Sequence, residues 1–235
     1  MTSGMFWNSM NDCKKLLKDM GILKDCNYHQ NKSYTQGFLD VSKSNDYLKI
    51  FQYMSDERDY DLLLCDDSMF QMNLIDGKLR LLFIQQPLKT LKAEEYINEY
   101  HPDDLLIEGV TIEYLIDVYR EEYETYLETL PLNKGAVYMR YDEDQKDYMP
   151  MIHSYTHLHI GLSNSIRIPF RCEVTPIAFV LFVLQHVFYD DWAKEFRKKD
   201  QNDNIIIPYL HFKDNCTLYD AGRWSENENS LFYVS

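Results

Sequence analysis

The apolar positions of this 235-residue chain change period several times. Phe6, Met10, Cys13, Leu17 and Met20 recur at three- and four-residue spacing, one face of an α-helix, and Gly21 follows as a stop. Tyr47, Ile50, Phe51 and Met54 predict a second, shorter helix. The period then drops to two. Phe70, Met72 and Leu74 alternate with polar residues, Asp76 and Gly77 supply a tight hairpin turn, and residues 79–85 return as a strand ended by Pro87. Residues 60–65 are expected as an earlier strand of the same sheet.

Helical spacing resumes over 91–100 and again over 111–130. In the longer stretch Ile112, Leu115, Ile116, Tyr119, Tyr123, Tyr126, Leu127 and Leu130 form one stripe, with acidic residues on the opposite face. Strands are expected at 136–142, 156–162 and 166–172. Thr175 and Pro176 make a helix start, with Thr as cap and Pro at the first helical position. The helix should run from 176 to 199 and, being apolar nearly all round in its first half, lie centrally buried. Residues 205–212 read as a further strand, and 231–234 as an apolar tip on a polar tail. Helices and strands in mixed order, without a steady βαβ rhythm, predict an α+β fold with a mainly antiparallel sheet. The length fits a single domain over 1–235, with residues 1–58 able to form a helical N-terminal lobe.

Composition narrows the class. Hydrophobic residues make up 45% of the chain, and 19 Tyr, 12 Phe and 3 Trp supply surface for a core, which excludes a disordered chain. The five cysteines form no C-x-x-C pair, which argues against disulfides and cysteine zinc sites and for reduced thiols in the cytoplasm. The opening residues lack the basic region and apolar core of a signal peptide. The most apolar run, 177–184, is far too short to span a membrane. A formal net charge of −14 disfavours general coating of nucleic acid and suits contact with a basic partner. Gly-rich phosphate loops and the nucleophile elbow of serine hydrolases are both missing from the sequence.

One segment departs from the acidic background. His153, His157 and His159 fall within seven residues. On a strand over 156–162, His157 and His159 share a face, while Leu158 and Ile160 point to the core. Between Met149 and Cys172 there is no Asp or Glu, whereas Arg167 and Arg171 are both present as anion-binding candidates. Arg140 and Asp142 alternate on the preceding strand and can meet the histidines across a strand pair.

Three readings fit this constellation. In the first, His157 and His159 share acid–base work in phosphodiester cleavage, His153 is a third candidate, Arg140 or Arg171 holds phosphate and Asp142 orients a histidine. The protein is then a phosphodiesterase or nuclease-type hydrolase without metal. In the second, His157 and His159, joined by His153 or Asp142, hold a divalent metal. In the third, the histidines are structural and hydrogen-bond within a packed sheet.

The order Arg140-Tyr-Asp142, His153, His157-Leu-His159-Ile-Gly161, Arg167-Ile-Pro169, Thr175-Pro176, Phe179 and Phe188-Tyr189 resembles an uncharacterised bacterial family, domain of unknown function 2290. The likeness covers roughly the second half of the chain. It departs from the family pattern at Ser154, where Pro would follow the histidine. The resemblance implies a bacterial cytoplasmic protein and a companion of a helicase encoded beside it in anti-phage defence operons. It implies no established reaction. The leading expectation is therefore a defence-complex subunit acting on nucleic acid with a helicase or ATPase partner. The alternative is a non-catalytic binding or regulatory module that contacts its partner through the acidic surface.

Overall fold

A computed structural model describes residues 1–27, 35–87, 93–129, 135–162, 166–214 and 216–231. The chain divides into two compact units, residues 1–85 with 137–235, and residues 86–136.

The larger unit is built on a seven-stranded antiparallel sheet. Its strands are β1 (Leu23–Cys26), β2 (Leu62–Leu64), β3 (Met69–Ile75), β4 (Lys78–Ile84), β5 (Tyr138–Glu143), β6 (Thr156–Ile160) and β7 (Ile166–Pro169), and they lie side by side in chain order. The α+β expectation is met. The β3–β4 hairpin forms in the register that its turn dictates, with Asp76 at φ 51° and Gly77 at φ 75°. Both angles suit a primed two-residue turn, which matches the twist of the strands it joins.

Side-chain alternation gives the sheet two unlike faces. One carries Phe70, Met72, Leu79, Leu81, Phe83, Met139, Tyr141 and Leu158 into the main core. Two helices cover it, α1 (Ser3–Asp19) through Met10, Cys13, Leu16 and Leu17, and α7 (Pro176–His186) through Ile177, Phe179, Val180, Val183 and Leu184. Thr175 caps α7 by accepting from Ala178 N, and Ser9 of α1 accepts from Ile177 N at 2.9 Å. Pro176 has no N–H, so the two amides that follow it in the first turn, Ile177 and Ala178, are thus both satisfied. Each fully buried aliphatic side chain here stabilises the fold by about 1.5–3 kcal/mol.

The opposite face is only partly covered. Phe38 of α2 (Gln36–Ser42), with Ile50, Phe51 and Met54 of α3 (Tyr47–Asp56), packs on Met69, Leu82, Ile84 and Tyr138. The rest of that face carries polar side chains. The five cysteines are free, as expected.

The unit spanning 86–136 contains α4 (Ala93–Tyr100), α5 (Ile112–Val118) and α6 (Arg120–Thr129), packed around Tyr96, Ile97 and Leu115. The helix expected over 111–130 is therefore two. Tyr119 leaves helical geometry at ψ 14°, its ring stacked on His101 at 3.7 Å and its hydroxyl donating to Asp104. These contacts override the continuous stripe.

Three further expectations need correction. The helix expected over 176–199 breaks at Val187 and Phe188, where the Phe188 ring turns onto Phe83 of the sheet, and resumes as α8 (Tyr189–Phe196). Residues 205–212 do not form a strand. Asn204 Oδ1 accepts from both Ile206 N and Ile207 N, which winds the backbone into a 3-10 turn over Ile207–Tyr209 and then α9 (His211–Asp214). The strand expected over 166–172 stops at Pro169, and β8 (Cys172–Glu173) pairs instead with β9 (Thr217–Leu218). Of the apolar tip, residues 232–234 lie outside the described residues. Among the described residues no helix is long and apolar enough to cross a membrane.

Candidate functional site

Two rows of side chains cross the open part of the sheet. Arg80 of β4, Asp142 of β5 and His157 of β6 stand opposite one another, with Pro169 of β7 next in line. In the adjacent row Leu82, Arg140, His159 and Arg167 do the same. Because the strands are antiparallel neighbours, the period-two alternation of each aims these residues at a single surface. The cross-strand meeting of Arg140 and Asp142 with the histidines, expected from sequence, is realised.

The rows form the floor of a cleft of about 280 Å³. Phe38, Leu39 and Ser42 of α2 line one side. Asp144, Asp147 and His153 contribute from the segment between β5 and β6. His153 is half-buried, whereas His157 and His159 are 4% and 2% exposed. The ring centroids of His153 and His157 are 4.9 Å apart, and those of His157 and His159 4.5 Å. All three expected histidines therefore sit together.

Asp142 is the hub. Arg140 Nε donates to its Oδ2 at 2.6 Å, and His159 Nε2 lies 3.4 Å from the same oxygen. The other oxygen, Oδ1, is buried and makes no hydrogen bond, with Arg80 Nε 3.9 Å away. Burial opposes the charge on Arg140, yet Asp142 and Tyr138 hold its pKa above the ordinary value. His157 Nδ1 lies 3.3 Å from the Ser154 carbonyl. A carbonyl only accepts, so Nδ1 carries the proton and Nε2 keeps a lone pair.

The electrostatics keep the two inner imidazoles neutral. Burial pushes His157 down from its ordinary pKa, with His153 and Arg167 adding to the shift against the pull of Asp142. Burial, Arg140, His157 and Arg167 push His159 down to about 3. Neutral imidazole is a base and a metal ligand, and it is not a ready acid. Asp142, His157 and His159 offer ligand atoms within 4.8 Å of one another, so the group could hold a metal ion.

The remaining expected residue, Arg171, lies between β7 and β8, and its carbonyl accepts from Tyr219 N. It is not among the residues lining the cleft. Sequence reading missed Arg80. The alternation of Leu79 and Leu81 places Arg80 off the core face, but nothing local shows that β4 pairs with β5 across fifty intervening residues. It also missed the α2 wall, since Phe38 and Leu39 carry no chemical signal of their own.

Neither a curated protein nor a solved structure matches the chain. One family does, the uncharacterized conserved protein family DUF2290, over residues 18–218. That match spans both units and contains every residue of the two rows, so the chain belongs to this family.

Proposed function

We propose that this protein is the nuclease-type subunit of a bacterial anti-phage defence system, cleaving phosphodiester bonds of nucleic acid beside a helicase or ATPase in the cytoplasm. The helicase pairing draws on the family likeness of the motif residues. The chemistry rests on one observation: His157 and His159 share one cleft with Arg80, Arg140 and Arg167.

The arginines hold the phosphate and offset charge that grows on its oxygens in the transition state. His157 Nε2 takes a proton from water as the water oxygen bonds to phosphorus. The ester P–O bond breaks, and the leaving oxygen receives a proton from His153, the most solvent-facing of the three. Asp142 positions Arg140 and His159.

A second reading is favoured by the Asp142, His157 and His159 group. Its oriented imidazole and its carboxylate oxygen without a hydrogen bond suit a divalent ion that would polarise phosphate or water. One experiment serves both. Untagged protein is analysed for metal, then assayed on single- and double-stranded DNA and RNA, with and without the helicase. His157→Ala is expected to lower cleavage by about 100-fold or more with the melting temperature retained. Stoichiometric metal, lost together with activity in His159→Ala, selects the second reading. Unchanged cleavage in both variants refutes the assignment of the cleft.

A further inference from the structure

Beside the cleft, across Arg167, His153 and His157, lies a second hollow of about 220 Å³. Its other walls are Met151, Ile152, Ser154, Pro169 and Leu231. The two hollows share those three cationic or imidazole side chains and differ in everything else. The first holds most of the charge, and the second adds Met151, Ile152, Pro169 and Leu231 beside the shared polar groups.

The hairpin that forms the apolar wall is built at a cost. Met149 N donates to His153 O at 2.9 Å and His153 N to Met149 O at 2.8 Å, closing a three-residue loop. Within it Met151 takes φ 67°, the left-handed region that disfavours side chains with a Cβ. The loop nevertheless carries large apolar residues and leaves them in water. Ile152 is 78% exposed and Met151 45%. A strained turn is ordinarily given to Gly or Asn, and an exposed tip to polar residues. Apolar side chains held open beside an arginine-bearing cleft await a flat, weakly polar group attached to a phosphate held there.

We infer, on the phosphate reading of the larger hollow, that the smaller one is a nucleobase subsite, and that the preferred ligand is a nucleotide unit with its base against Met151, Ile152 and Pro169. The guanidinium of Arg167 and the ring of His153 stand between the hollows, where they can face both the phosphate and the base. The hollow, about 220 Å³ and lined by Arg167 and His153 as well as apolar side chains, suits a heteroaromatic ring better than an acyl chain.

The test uses the full chain labelled at Ile and Met methyl groups, with Ile152 and Met151 as reporters in NMR titrations. The probes are adenosine 5′-monophosphate, ribose 5-phosphate, adenosine and hexyl phosphate. The nucleotide is expected to bind about tenfold or more tightly than ribose 5-phosphate and to move both reporter methyls. In a Met151→Gly, Ile152→Ser double variant, titrated by calorimetry because both reporter methyls are gone, that advantage should shrink to about twofold, with the ribose 5-phosphate affinity unchanged. Equal affinities for nucleotide and sugar phosphate in the unaltered protein overturn the subsite and leave the phosphate reading standing. Tighter binding of hexyl phosphate than of the nucleotide also overturns it. If neither phosphate binds but adenosine still moves the methyls, the subsite stands and the phosphate reading falls. If no probe binds, both fall.

Discussion

Individual side chains in the cleft have unusual surroundings, and His159 shows the consequence most clearly. Its ring is buried beside Arg140, His157 and Arg167, and its pKa falls to about 3. An unfolded chain would protonate the same imidazole near 6.5. The unfolded state therefore binds the extra proton first, and the fold loses stability as pH drops from about 6.5 toward 3; above that window the group contributes no slope. In His159→Asn the slope of the urea midpoint against pH should flatten between pH 6 and 4, and an unchanged slope would mean that another group sets it. The histidines were legible because period-two alternation alone puts His157 and His159 together. Their neutrality was not, since it depends first on burial in the assembled sheet, and then on Arg167 and, for His159, Arg140 from the flanking strands. The acid-free window suggested a purely cationic pocket. The cleft in fact borrows Asp142, Asp144 and Asp147 from just before that window.

At the level of elements, local rules held where the chain had local reasons to obey them. The hairpin turn at Asp76 and Gly77 and the cap at Thr175 are short-range devices, and both form as read. The misreadings at Tyr119, Phe188 and Asn204 share one cause. In each, a side chain finds a distant or backbone partner that outweighs periodicity, through His101 and Asp104, through Phe83, or through the amides of Ile206 and Ile207. The start of α7 shows how such contacts matter energetically. Ser9 of α1 is buried and supplies the acceptor for Ile177 N, so Ser9→Ala leaves that amide unpaired inside the core. Thermal denaturation should report a loss of about 1–3 kcal/mol, well beyond the value of the hydroxyl's own packing. A loss below about 0.5 kcal/mol would mean that water reaches the amide.

For the molecule as a whole, the division into two units has a simple basis. Gln85 N donates to Val137 O at 2.9 Å, and Val137 N to Gln85 Oε1 at 3.0 Å, so the ends of the 86–136 excursion are adjacent within the larger unit. That excursion carries about three acidic residues for every basic one, a large share of the chain's negative charge. Replacing residues 86–136 with a short Asn-Gly turn is expected to leave a folded sheet that still carries both site rows. Circular dichroism and the methyl spectrum of Ile152 would check it, and a molten product would show that the excursion is needed for folding.

The same insertion shapes how the protein is made. At ribosomal speeds of about 5–20 residues per second, β4 waits roughly 3–10 s after synthesis for its neighbour β5 to emerge. Throughout that interval its unpaired edge and the side chains of Leu81 and Phe83 stand ready to recruit another nascent chain. The segment from β5 to β7 then brings nearly the whole site in one contiguous stretch. Competence should accordingly arise late and abruptly in translation, and aggregation during overexpression should fall when the waiting period is shortened.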